Sequence, residues 1–171
     1  MKKSTVKFLA ATVTAMFMVF TMSGAGFADT IKLGVAGPHS GDLASYGIPT
    51  IKAAELVVKD INAKGGVLGM KVELVVEDDV CKPEVATNTA TKLASQDVKI
   101  VLGHICSGAT KAALGIYKDS KMVAMSPSAT NPALTQSGDY PNFFRTIASD
   151  DAQAKLEVEF ALDKLGLKKI A

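Results

Sequence analysis

The 171-residue sequence contains no tryptophan and a single arginine, Arg145, and its aromatic content is only 6%. Phosphate-rich partners are gripped by arginine forks and aromatic stacking, so this composition argues against nucleic-acid binding. An excess of one charge is missing too. Lys2, Lys3 and Lys7 lie in the first 28 residues, which hold no acid; without them 16 basic residues face 17 acidic ones, and the formal charge moves from +2 to −1. A near-neutral remainder has no electrostatic footprint for nucleic acid or an anionic membrane surface. Cysteine is scarce, with only Cys81 and Cys106. Gly37 to Gly41 is no dinucleotide fingerprint, because Pro38 interrupts it and a third spaced glycine is absent.

What is present begins with an export signal. Lys2, Lys3 and Lys7 form a positive start, Phe8 to Met22 an apolar run broken only by small threonines, and Gly26 and Ala28 the small residues of a cleavage site. The apolar run, about 15 residues, is short of the ~20 that a membrane span needs. Residues 1–28 therefore read as a signal peptide cleaved after Ala28, with Asp29 as the mature N-terminus of an exported chain. In an exported chain, an even pair of cysteines suggests one disulfide.

The mature chain alternates β-rich and helical runs. Residues 31–36 read as a first strand, and Pro49 to Lys64 as a helix with Pro49 in its first turn and Gly65-Gly66 after it. Residues 71–76 alternate as a second strand, and Pro83 opens a second helix. Residues 99–103 read as a short strand, apolar after Lys99, of the kind buried in parallel sheets. Ser107 is expected as the N-cap of a third helix, residues 122–125 as a fourth strand and 143–146 as a further one. A helix over 152–165 follows, and 167–171 begins another strand. The order implies an α/β fold, a doubly wound parallel sheet with helices on both faces. The closing helix and strand start have no sheet of their own. The reading divides the chain into a lobe over 29–148 and a crossover over 149–171 that opens a truncated second lobe.

In open α/β sheets, ligands sit beyond the carboxyl ends of the strands. The polar clusters fall there: Gly37-Pro38-His39-Ser40-Gly41 with Tyr46, His104-Ile105-Cys106-Ser107-Gly108, and Ser126-Pro127-Ser128-Ala129-Thr130. A helix starting at Ser107 aims free N–H groups at an anion, for which a carboxylate is the natural guest. Ser128 and Thr130 offer hydroxyls and carbonyls for an ammonium. Together they suit a zwitterion.

Several stretches carry a specific resemblance: IKLGVAGPHSGDLASYG (31–47), AAELVVKDINAKGGVLGMKVELVVEDDVCKPEVA (53–86), GHICSGAT (103–110), IYKD (116–119) and SPSATNPALT (126–135). From Asp29 onward the chain resembles the N-terminal lobe of periplasmic leucine/isoleucine/valine-binding proteins, the type I solute-binding proteins of ABC transporters. The resemblance implies a non-enzymatic, cofactor-free module that captures a branched-chain or other aliphatic amino acid and hands it to permease subunits. It implies that Ser107 and Thr130 take the ligand carboxylate, that the Thr130 hydroxyl and Ser128 carbonyl take the ammonium, and that Ala129 belongs to the same set. The family often has Ala at position 128, but that contact runs through the backbone. Tyr46 would shield the aliphatic side chain, and Cys81 and Cys106 match the family's disulfide. The family's second lobe supplies further partners for the ligand, so this chain by itself is expected to bind poorly. The alternative is an amide- or urea-binding lobe, or a receptor-type sensor, of the same fold.

Plainer readings stand beside these. His104, Cys106 and Cys81 offer soft metal ligands, but their spacing fits no common structural zinc site. Cys106 as a nucleophile would need His104 as its base, and a strand exit usually points that residue elsewhere. Glu77-Asp78-Asp79 reads as a solvated strand exit, and Arg145 as a structural tie at the crossover.

Overall fold

The computed structural model describes residues 30–169; the signal-peptide reading and Ile170-Ala171 lie outside them. Ten elements follow one another: β1 (Ile31–Gly37), α1 (Ala44–Ala63), β2 (Val72–Asp78), α2 (Pro83–Ser95), β3 (Ile100–Leu102), α3 (Ser107–Asp119), β4 (Val123–Ser126), α4 (Ala133–Gln136), β5 (Phe143–Arg145) and α5 (Asp150–Asp163). All strand pairs are parallel, in the order β2-β1-β3-β4-β5. The chain moves outward from β1 to β2, then crosses back over β1 to build β3, β4 and β5. Right-handed crossovers put α1 on one face and α2 with α3 on the other. The reversal makes a switch point between β1 and β3, where the loops leaving the two strands diverge and open a crevice.

Side-chain alternation decides what each face buries. On the α2–α3 side, Ala36, Val101, Ala124 and Phe143 close against Leu93, Leu114 and Tyr117, all essentially out of solvent. Full burial of a large apolar side chain stabilises by about 1.5–3 kcal/mol, so this layer carries most of the packing energy. On the other side, α1 covers β1 through Ala54 and Val58, but β3 to β5 stay bare. Ile100 is 44% exposed, Val123 40% and Phe144 49%. The apolar run Ile100-Val101-Leu102 thus reports a strand sealed on one face only.

Other departures from the sequence reading have local causes. Helix α1 starts at Ala44 and holds Pro49 inside it. The hydrogen bond forgone is the one to the carbonyl of Ser45, which is exposed and can turn to water. Gly47 lets this early start happen: a Cβ there would lie 2.1 Å from the Pro38 carbonyl oxygen. Cys106, not Ser107, holds the cap position of α3, and Ser107 is its first helical residue. The fourth strand is displaced by one residue, which brings Ser126 into the sheet. Pro83 opens α2 as expected. At the other end of α1, Asn62 pairs with both backbone groups of Val72 at 2.8 Å and fixes the entry of β2. Residues 167–169 form no strand. Helix α5 buries none of its residues and leaves Leu156, Phe160 and Leu162 in solvent.

Candidate functional site

The crevice at the switch point is floored by three loop exits. Pro38, Leu43 and Tyr46 come from β1 and the start of α1, Ile105, Cys106 and Ser107 from the β3–α3 turn, and Ser128 and Thr130 from the loop after β4. Four of the residues singled out for ligand binding, Tyr46, Ser107, Ser128 and Thr130, therefore line one hollow. The fifth, Ala129, lies beneath it. Ala129 is fully buried, its N–H donates to Ser126 Oγ at 2.9 Å, and its carbonyl accepts from Arg145 at 3.3 Å.

The polar groups of the hollow differ in how far they are already engaged. The first helical bond of α3 runs from the Thr110 N–H to the Cys106 carbonyl. The N–H groups of Ser107, Gly108 and Ala109 thus have no helical acceptor and give this end partial positive charge. Ser107 Oγ accepts from the Asn131 N–H at 3.3 Å and bridges the second loop to the third. The Thr130 carbonyl receives the Asp150 N–H at 3.0 Å, and among the described residues the Thr130 N–H and hydroxyl have no internal partner. Tyr46 is 66% exposed, so one wall of the hollow is open to water. A second hollow lies on the bare side of the sheet, lined by Leu33, Val57, Val58, Leu102, Met125 and Pro127. Its lining is almost wholly apolar and offers nothing to a charged group, so the chemistry points to the switch-point crevice.

A disulfide joins Cys81, in the turn after β2, to Cys106, with Cα atoms 5.6 Å apart. It anchors the β3–α3 turn to the sheet's outer strand and uses both thiols, which removes them as zinc ligands or nucleophile.

Residues 30–171 match the family described as Periplasmic binding protein. The chain belongs to that family. It is 37% identical over 162 residues to the leucine-specific-binding protein of Salmonella typhimurium, which covers 95% of this chain and 44% of the relative. It is 38% identical over 174 residues to the leucine-, isoleucine-, valine-, threonine- and alanine-binding protein of Pseudomonas aeruginosa, covering 100% and 45%. Among solved structures, it is similar to the branched-chain amino acid transporter substrate-binding protein of Streptococcus pneumoniae in complex with isoleucine. The TM-score there is 0.73 and the identity 37%, over 81% of this chain and 39% of that one. The chain spans less than half the length of the curated relatives it matches.

Within this periplasmic-binding-protein lobe, the residues that sequence reasoning misjudged lie one layer below the crevice. The acidic run Glu77-Asp78-Asp79, at the end of β2, is not a solvated exit. Glu77 pairs with Lys92 at 2.7 Å. Asp78 accepts from the His39 N–H, the Ser40 hydroxyl and the Val80 N–H, tying the turn after β1 to the turn after β2. Asp79 is fully buried; it accepts from the Cys81 N–H at 2.7 Å and meets His104 Nδ1 at 2.5 Å. Partial burial pushes the Asp78 carboxyl up, but the hydrogen bonds from Ser40, Val80 and His39 together bring it below the ordinary carboxylate range. His39 moves the other way from a free histidine. Burial lowers it more than Asp78 and Asp79 raise it, and its ring nitrogens have no partner among the described residues. Arg145 holds the third loop by donating to the Ala129 and Asn131 carbonyls and to the Thr135 hydroxyl. The only sequence signal for this layer was the clustering of Asp79, His104 and Ser126 at strand ends.

Proposed function

We propose that the protein is the substrate-binding component of an ABC transporter, capturing a branched-chain or other aliphatic amino acid in the periplasm for delivery to permease subunits. In this reading residues 1–28 direct export and are removed after Ala28. Residues 29–148 form the ligand-binding lobe, and 149–171 lead towards a second lobe. The module performs no chemistry on its ligand; it binds and releases. The observation that carries the reading is the shared hollow at the switch point. There Ser107, in the first turn of α3 with its open N–H groups, lines one hollow together with Ser128, Thr130 and Tyr46.

The division of labour follows from charge. A carboxylate at the α3 N-terminus gains the helix dipole and charge-assisted hydrogen bonds from Ser107 and Thr130. An ammonium alongside is held by the Ser128 carbonyl and the Thr130 hydroxyl, which accept. Pro38, Leu43, Ile105 and Tyr46 give the aliphatic side chain an apolar wall. The relatives named for leucine, isoleucine and valine support this ligand class.

A ligand panel tests the reading. Leucine, leucinamide, isovalerate and urea are titrated into the chain and followed by ligand-observed NMR. Leucine should bind weakly, because the hollow is open on one side, and leucinamide and isovalerate more weakly still, because each lacks one of the two charges. Urea binding with leucine inert would replace the amino-acid reading with amide recognition.

A further inference from the structure

Beneath the crevice lies a polar chain whose members do not line it. Its centre is His104, with Asp79 and Tyr117 on either side of the ring and all three shut off from solvent. Nδ1 meets Asp79 Oδ2 at 2.5 Å and Nε2 meets the Tyr117 hydroxyl at 2.8 Å. Proton accounting fixes the direction of these bonds. Tyr117 has no other hydrogen-bond partner among the described residues, and a buried hydroxyl hydrogen without an acceptor is costly. The Tyr117 hydroxyl therefore donates to Nε2, and the ring proton sits on Nδ1 and is donated to Asp79. Burial first, and the charge of Asp79 second, push the Tyr117 hydroxyl up, which keeps it a donor.

The backbone of the same residue reaches the third loop. Ser126 Oγ donates to the His104 carbonyl at 2.5 Å and accepts the N–H groups of Ala129 at 2.9 Å and Ser128 at 3.2 Å. Its one hydrogen and both lone pairs are used. Thr110, one turn into α3, adds its hydroxyl to the carbonyls of Cys106 and His104. Gly103 makes the approach possible: φ there is +132°, and a Cβ would stand 2.0 Å from the Ala36 carbonyl oxygen. The chain runs from Asp79, through the ring and then the carbonyl of His104, to the loop that carries Thr130. Ser107 lies three residues beyond His104 on the other branch.

We propose that His104 is a positioning residue for the pocket: clamped by Asp79 and Tyr117, it sets through its own carbonyl and Ser126 the spacing between Ser107 and the Ser128–Thr130 segment. The proposal rests on the ligand reading above for its purpose, but the clamp can be measured without ligand. An apolar side chain would fill the same volume. What it would not do is orient the His104 carbonyl that receives Ser126, because networks of this kind hold direction as well as position.

The test uses four substitutions at three residues that do not line the hollow, with His104→Leu as the apolar comparison. Ser126→Ala removes the link, Tyr117→Phe removes the donor to Nε2, and His104→Asn keeps a donor near Nδ1 as a conservative rescue. In the unliganded parent at pH 7.5, ring ¹⁵N spectra should show Nδ1 protonated and Nε2 bare; a proton on Nε2 overturns the clamp. Ser126→Ala should speed amide exchange at Ser128 and Ala129 and weaken leucine binding by about tenfold, the order expected from one lost buried hydrogen bond. Tyr117→Phe should shift the Nε2 resonance and the Thr130 amide, and His104→Asn should retain more affinity than His104→Leu. If Ser126→Ala and Tyr117→Phe fold and leave the Ser107 and Thr130 amides and the affinity unchanged, the proposal is wrong, even should the His104 variants not fold. If the parent ignores leucine, the ligand reading fails, while the ring spectra and exchange rates still decide the clamp.

Discussion

The two faces of the sheet are built from alternate residues of the same strands, yet they end in opposite states. Val101 and Ala124 are sealed under α2 and α3, while their neighbours Ile100 and Val123 remain 44% and 40% exposed. The sealed side also contains the Asp79–His104–Tyr117 cluster and Ser126, the groups that tie the crevice loops together. The bare side holds the apolar hollow between α1 and β4. The difference teaches where precision resides. Polar groups can be held in fixed directions only where water cannot compete, so the ligand-facing atoms are set from the closed side and merely exposed at its edge.

The sharpest way to break this contrast is to cut both faces alike. Leu114→Ala, in the closed layer, should lower stability by about 3–5 kcal/mol, read by urea denaturation, and Val123→Ala on the bare face by less than about 1 kcal/mol. Equal losses would erase the distinction. Reducing the Cys81–Cys106 bridge, which closes a span of 25 residues, should cost about 3.5 kcal/mol on the chain-entropy model. It should also disturb the amides of the β3–α3 turn before those of the bare face. Ser107→Ala and Thr130→Val should each weaken leucine binding by about 1–2 kcal/mol with little change in stability, because each removes a hydrogen bond to a ligand charge.

The smallest effect concerns acid. The folded-state value of Asp78 lies below its ordinary 3.8. Its contribution is therefore complete above that value and lost as pH falls through the depressed one. Asp78 is only partly buried, so solvent screening keeps the contribution small. Melting temperatures of the parent should exceed those of Asp78→Asn near neutral pH, and the two curves should converge once the pH has fallen through the depressed Asp78 value, below 3.8, where both side chains are uncharged.

Much of the framework was legible because it depends on local pattern. The β-rich runs, Pro83 as a helix opener and the polar strand exits each carry a signal within a few residues. What escaped depends on partners far along the chain. Asp79 sits in an acidic run that reads as solvated, and only the arrival of His104, 25 residues later, makes it a buried acceptor. Ser126 was one more loop serine until its hydroxyl met the His104 carbonyl. The start of α1 was misplaced because Pro49 is a strong local start signal, while the permission to begin earlier comes from Gly47 against Pro38. The bare face of β3 was hidden because an apolar run looks the same whether one face is covered or two.

The most direct measurement is a residue-resolved ¹H–¹⁵N titration of the chain with leucine. If the switch-point crevice is the binding site, the amides of Ser107, Gly108 and Thr130 move first and saturate together, and urea leaves them still. Shifts confined to residues around Leu33, Val57 and Met125, on the opposite face of the sheet, would contradict it.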